Sequence, residues 1–258
     1  MKLPADWLRP DWPAPTRVKA LCTARSGGRS RSPFDQLNLG SHVGDALADV
    51  LDNRAVLQEV MGVRPVFLAQ VHGTQVARLT GNTLDDTEAD ACMVTQAGVA
   101  CAIMVADCLP ILLCDSTGTW VAATHAGWRG LAGQGGVGVV ENTLATIHAS
   151  NRPPTLSGIA QVAPEIIAWL GPCIGPAMFE VGDEVRQAFV EGAPAAESCF
   201  VAVKPGKWLA DLPALARMRL RAAGVTALYG NDGSTPWCTV SNPSRFFSHR
   251  RDRVSGRQ

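Results

Sequence analysis

"CAIMVADCLPILLCD", Cys101–Asp115, is an apolar run broken at its centre by Asp107 and Cys108, with Pro110 two positions beyond the cysteine. The flanking runs "ACAIMVA" and "PILLC" predict strands covered on both faces. Proline cannot donate to a ladder, so Pro110 predicts a bend or a sheet edge and puts the Cys108 thiol at the rim of a sheet. A lone cysteine in such a run ordinarily packs the core. Its neighbours give this one a second reading.

On either side of this stretch lie two histidines at matching places. "VAATHAGWRG" puts His125 at the end of the next strand before a Gly-rich turn, and "PVFLAQVHGTQVARLT" reads as strand, turn at His72-Gly73, strand. Three donors at strand ends can converge on one pocket. Imidazole nitrogen and thiolate sulfur suit zinc, and three protein ligands with one open position describe a catalytic rather than a structural site. The separations, 36 and 17 positions, match no zinc-finger spacing. The same residues also allow a metal-free Cys-His nucleophile pair, and local sequence leaves both open.

The rest of the chain supplies alternating elements. "VKALCTA" predicts a short strand leading into the Gly/Ser/Arg-rich loop "RSGGRSRSPFDQLNLG". "DALADVLDNRAVLQEVMG" predicts a surface helix capped by Asp45 and closed by Gly62. Further helices are predicted at Val139–His148, "EVGDEVRQAFVEG" and "DLPALARMRLRAAG", with strands at "IAWLG", "CFVAV" and "TALYG" and a Pro-rich link "NRPP". The expected class is α+β (mixed α/β): one layered domain over residues 1–258, a mixed β-sheet flanked by helices.

Composition narrows the function. With 258 residues, 47% hydrophobic and 23 basic against 23 acidic side chains, no global field favours nucleic acid or an acidic membrane surface. No apolar stretch reaches the roughly 18 residues of a bilayer span, and the N-terminus lacks a secretory pattern, so a soluble cytoplasmic protein is expected. Eight cysteines scattered through a chain of this size predict reduced thiols.

The stretches "TARSGGRSRSPFDQLNLG", "FLAQVHGTQV", "ADACMVTQAGVACAIMVADCLPILLCD", "AATHAGWRGL", "WLGPCIGPAMFEVGDEV" and "FFSHRRD" resemble, in order, the motifs of the YfiH-type, laccase-domain family, and cover most of the chain. The resemblance implies a mixed α/β fold and zinc held by His72, Cys108 and His125, which would also be the catalytic residues. It further implies purine nucleoside phosphorolysis of adenosine, inosine and methylthioadenosine, with adenosine deamination at the same site. Purine nucleoside and phosphate are then the partners, with no nucleic acid or membrane, and the protein is expected as a monomer or weak homo-oligomer. The family's older label implies a copper polyphenol oxidase, and a further role proposed for it is hydrolytic correction of peptidoglycan precursors. Copper oxidation is chemically weaker, because the chain has five histidines and no His-x-His pair. The same three residues are also compatible with a non-catalytic zinc-stabilised module and with a metal-free cysteine hydrolase.

Phosphate needs donors, and arginine supplies bidentate ones. Arg25, Arg129 and Arg250 with its neighbour Arg251 are the candidates, Arg129 having the best position after "HAGW". Asp107 is a candidate to orient a histidine ligand or act as base, and Asn38 and Gln70 are candidate polar contacts. "GQGGVG", Gly133–Gly138, matches a dinucleotide pattern without the later acidic residue and is read as a lengthened loop. His148 is expected at a helix end, where its charge suits the dipole; His42 and His249 are weaker pocket candidates, and Cys114 and Cys173 are expected in the core. The family pattern continues past the "RRD" motif into a final apolar strand, whereas this sequence stops at "SGRQ", so either a sheet strand is absent or the chain is truncated.

Overall fold

The computed structural model describes residues 3–150 and 164–258. In chain order the elements are α1 (Leu47–Met61), β1 (Arg64–Ala69), β2 (Val76–Arg78), β3 (Thr87–Glu88), β4 (Ala91–Val94), β5 (Val99–Ala102), β6 (Leu109–Asp115), β7 (Val121–Ala126), α2 (Trp128–Ala132), α3 (Val139–Ser150) and β8 (Ile166–Leu170). They are followed by β9 (Glu180–Gly182), α4 (Asp183–Val190), β10 (Phe200–Lys204), β11 (Lys207–Ala210), α5 (Leu212–Ala222), β12 (Ala227–Gly230) and α6 (His249–Asp252). The "NRPP" link lies outside the described residues. Among those described, no helix is long and apolar enough to cross a membrane.

The apolar run at "PILLC" becomes β6, set between β7 and β8 in a six-stranded mixed sheet ordered β12-β8-β6-β7-β4-β2. Alternation along the strand divides its side chains between two cores. Ile111 and Leu113 join Leu131, Leu144, Ile147, Leu212 and Leu215 from α2, α3 and α5 on one face. Leu112 joins Val66, Leu68 and Ala123 on the other, where the smaller sheet β3-β1-β5 packs. Phe67, on the outer side of that smaller sheet, meets Leu57 of α1 together with Leu37, Met104 and Trp7. Helices, sheet, sheet and helix thus stack in layers, and the mixed α/β class is as the sequence indicates. A third sheet, β10-β11-β9, is antiparallel.

Several local expectations change. "VKALCTA" forms only an isolated bridge from Cys22 to Leu8, because its partners are loop segments and no ladder runs alongside it. Pro110 marks neither bend nor edge: it is the second residue of a central strand, paired with His125, and its carbonyl accepts from Gly171 N–H at 2.9 Å. Proline is tolerated near the start of a strand, before the ladder demands its missing donor. Gly62 does close α1, at φ +69°, but Asp45 does not cap it; its carboxylate binds Ala46 N–H and the Asn38 amide instead. "EVG" is strand β9, so α4 starts later than its pattern suggests, and "KWLA" adds the unanticipated β11. "GQGGVG" is a tight loop closed by mutual Gln134–Val137 backbone bonds ahead of α3. His148 does lie in the last turn of α3. The final residues are laid against earlier loops: Leu39 N–H donates to the Arg257 carbonyl, and Val105 and Gln258 exchange backbone hydrogen bonds at 2.9 and 3.1 Å.

Asp115 at the end of β6 is 2% exposed. Burial alone would raise its pKa, but donation from the Thr119 and Thr117 hydroxyls and from the backbone holds it below the ordinary carboxylate value. Asp115→Asn is therefore expected to cost about 1–3 kcal/mol at neutral pH, the scale of a buried group left mispaired. A depressed folded pKa gives stabilisation that is complete above the unfolded value near 3.9 and fades as pH falls through the folded one. The gap between wild type and variant in urea midpoint, measured at pH 7, 5 and 3, should hold to pH 5 and close only toward pH 3.

Candidate metal centre

β6 and β7 bring two of the three candidate ligands together by register. Cys108 stands one residue before β6, and Pro110 lies opposite His125 in β7. His72 arrives from the turn that ends β1. The three donor atoms all lie within 4.8 Å of one another. Cys108 Sγ is 3.7 Å from His72 Nε2, and the two imidazoles meet edge to face with centroids 4.7 Å apart. His125 is buried and Cys108 partly so, while His72 is exposed and opens the cluster to solvent.

The organiser is Asp90, just before β4, whose residue is 0% exposed. Its Oδ1 lies 2.8 Å from His125 Nδ1, and its carboxylate accepts from the backbone N–H groups of Val71, His72 and Gly73 at 3.2, 2.9 and 2.6 Å. Three successive amides converging on one carboxylate hold the turn that carries His72 in left-handed backbone, φ +60°. With Asp90 on Nδ1, His125 is left with Nε2 for the cluster. Burial raises the Asp90 carboxyl, but His125 and these amides more than offset it, and its pKa lies below the ordinary value.

The thiol and imidazole polarise each other. Burial would raise Cys108, yet the imidazoles of His125 and His72 bring it down to about 6. Burial would lower His125, and Cys108 and Asp90 lift it to about 9. Cys22 and Cys114, by contrast, are pushed up to about 12 and about 11, chiefly by burial. A thiolate at neutral pH is the form a metal ion takes.

The glycines of "HAGWRG" leave the space. A Cβ on Gly127 would stand 2.9 Å from His72 Cδ2 and 3.0 Å from Cys108 Sγ, and one on Gly130 only 2.6 Å from the Gly73 carbonyl. Gly127→Ala is expected to displace the exposed His72 while the fold survives, and to weaken metal binding by about 10–100-fold, the scale of misplaced ligand support. Competition with a chromogenic chelator measures it; affinity equal to wild type would show that the cluster does not need this gap.

The other candidate contacts are placed as follows. The Arg25 guanidinium is committed to the Asp35 and Pro243 carbonyls and to the Asp35 carboxylate. Asn38 is buried, bonded to Gly40, Asp45 and Arg257 N–H. The Gln70 amide clamps both backbone groups of Met104 at 2.8 Å. Asp107, at φ +88°, accepts from the Thr239 hydroxyl and Arg250 N–H, each at 2.6 Å, so the carboxylate on a histidine ligand is Asp90 and not Asp107. The Arg250 side chain reaches the Met178 and Glu180 carbonyls, and Arg251 holds the Thr239 and Phe246 carbonyls. Arg129 is exposed, stacked 4.5 Å over Trp128, with no side-chain hydrogen bond among the described residues. Cys114 and Cys173 are buried.

The sequence motifs assign Asp90 no role. The available signal was a carboxylate entering a wholly apolar strand in "ADACMV", since a buried acid requires partners.

Known proteins resemble this chain over nearly its whole length. The family described as multi-copper polyphenol oxidoreductase laccase matches residues 19–258. A Pseudomonas aeruginosa protein named purine nucleoside phosphorylase is 49% identical over 97% of this chain and 95% of its own. The purine nucleoside phosphorylase YfiH of Escherichia coli is 44% identical over 96% and 94%. Among solved structures, a Neisseria meningitidis protein superposes with a TM-score of 0.85 at 44% identity, covering 98% of this chain and 96% of its own. YlmD from Geobacillus stearothermophilus gives 0.83 at 32% identity, covering 100% and 95%. With nearly the whole chain matched in sequence and fold, the protein belongs to the YfiH-type, laccase-domain family.

Proposed function

We propose that the chain is a zinc-dependent purine nucleoside phosphorylase, acting in the cytoplasm as a one-domain monomer or weak homo-oligomer on adenosine, inosine and methylthioadenosine. The observation that carries this reading is the His72, Cys108 and His125 cluster, open on the His72 side and braced by Asp90, in a chain 49% identical to a protein named for that activity. Two nitrogens and a thiolate are a donor set that zinc accepts. When bound, such an ion supplies Lewis-acid polarisation of a substrate atom.

In phosphorolysis a phosphate oxygen bonds to the anomeric carbon as the C–N bond to the purine breaks. The electron pair leaves with the base, and the proton of hydrogen phosphate balances it. The protein's part is to bind and orient. Asp90 fixes His125 and the His72 turn, and Asp107 ties the Cys108 segment to the loop at Thr239 and Arg250. Arg129, stacked on Trp128 but with no side-chain hydrogen bond among the described residues, is available to the phosphate.

Purified, metal-quantified protein incubated with adenosine or inosine, with and without phosphate, tests the reading. Free base and ribose 1-phosphate formed only with phosphate support it. Base released equally without phosphate, or none at all, overturns it. Inosine appearing from adenosine in the same samples would report deamination, which an open ligand position favours. The family description favours a second reading, copper-dependent phenol oxidation. Only one three-donor cluster is found among the described residues, which suits one ion rather than several. Oxygen uptake with a phenol at stoichiometric copper is its test, and silence in both assays would turn attention to peptidoglycan precursors.

A further inference from the structure

Arg257 is held by its backbone against the loop at Asn38 and Leu39. Its N–H donates to Asn38 Oδ1 at 2.9 Å and its carbonyl accepts from Leu39 N–H at 2.9 Å. Gln258, the next residue, exchanges two backbone hydrogen bonds with Val105, which sets Arg257 alongside the segment leading to Asp107 and Cys108. Gly40 leaves room for its stem, because a Cβ there would stand 2.9 Å from Arg257 Cγ and 3.4 Å from His42 Cε1. Arg257 and His42 therefore meet over Gly40.

Among the described residues the guanidinium forms no ion pair. Its Nη1 donates to the Ser255 and Gly256 carbonyls, both at 3.0 Å, and among the described residues no carboxylate pairs with it. Burial disfavours its charge, and the nearby groups that favour it are Cys108 and Asp107. Asp107 is already satisfied by Thr239 and Arg250, and a metal ion on Cys108 would neutralise the thiolate. Nε and Nη2 then remain as donors on a partly buried cation, an arrangement that costs free energy unless an anion takes them. Two parallel N–H groups of a guanidinium match two oxygens of a phosphate.

We propose that Arg257 holds the phosphate substrate beside the metal centre. This rests on the phosphorylase reading, which supplies the anion. The nearby Arg54 cannot do the same, since its Nε is bonded to the Leu39 carbonyl and its charge is paired with Asp85.

The test uses zinc-loaded wild type, Arg257→Gln and Arg257→Lys, with inorganic phosphate as the probe in calorimetric titration and in thermal shift. Both variants keep the backbone bonds to Asn38 and Leu39, and zinc stoichiometry checks that the centre is intact. The expected result is phosphate affinity weakened at least tenfold in the glutamine variant and less in the lysine one, with KM for phosphate raised to match and KM for nucleoside within twofold. Equal phosphate affinity in Arg257→Gln, or no phosphate binding by wild type, overturns the proposal. Arg257-dependent phosphate binding without phosphorolysis keeps the anion site and sinks the phosphorylase reading. A nucleoside 5′-monophosphate is the control: Arg257-dependent binding of it, but not of free phosphate, also overturns the proposal by making the anion part of a nucleotide.

Discussion

Cys108→Ala should lower bound zinc from about one per chain to a trace and reduce phosphorolysis by at least a thousandfold, leaving the fold intact. The thiol supplies one of three donors, and no other cysteine or acid belongs to the cluster that could replace it. Cys108 is partly exposed and lies outside the hydrophobic cores, so its truncation opens no cavity in them. Metal analysis after dialysis and product assays measure the two losses. A chelator should then lower the melting temperature of wild type, because an ion bound only by the folded state stabilises it by about 4 kcal/mol at a thousand times its Kd. The same chelator should not move the variant. Wild type kept active after complete metal removal would overturn the metal reading in favour of a cysteine nucleophile. In metal-free protein near pH 7, an alkylating reagent should reach Cys108 first, since its pKa of about 6 lies far below those of Cys22 and Cys114. Added zinc should block that alkylation.

The parts of this site legible in sequence are those that residue type marks. Three soft or borderline donors at strand ends are conspicuous in a chain with five histidines, and alternation placed two of their strands, β6 and β7. What the sequence hid is carried by backbone. Asp90 lies 35 positions from His125, and its other partners are three main-chain amides, which any residue but proline can offer. Arg257 owes its place to pairing between the last residues and Leu39 and Val105, a long-range contact without side-chain signature. The surroundings of the candidate arginines were hidden for the same reason: carbonyl oxygens accept from the guanidinium groups of Arg25 and Arg250, and carbonyls carry no motif. Pro110 misled because the rule against proline in central strands relaxes at a strand's start.

Asp90 should separate positioning from coordination. It is fully buried and stands outside the donor cluster, yet it fixes both histidines, one through Nδ1 and the other through the backbone of its turn. Asp90→Ala removes the acceptor for four donors in a site with no solvent access, and is expected to destabilise the protein by about 3 kcal/mol or more, on the order of other buried charged pairs broken from one side. Asp90→Asn keeps shape and one acceptor oxygen but turns an N–H2 group toward backbone donors, so a smaller loss of about 1–3 kcal/mol is expected. A purely structural role would leave metal affinity unchanged in any fraction that folds. A positioning role predicts that folded Asp90→Asn binds zinc about 10–100-fold more weakly. At saturating zinc it should recover much of its kcat while His72 remains loosely held, whereas Cys108→Ala recovers none. Chelator competition on the folded fraction, paired with urea unfolding of the same samples, reads the two effects separately. Zinc affinity like that of wild type in Asp90→Asn would mean that the His125 imidazole keeps its orientation from the β7 backbone alone, and that the carboxylate serves only to close the His72 turn.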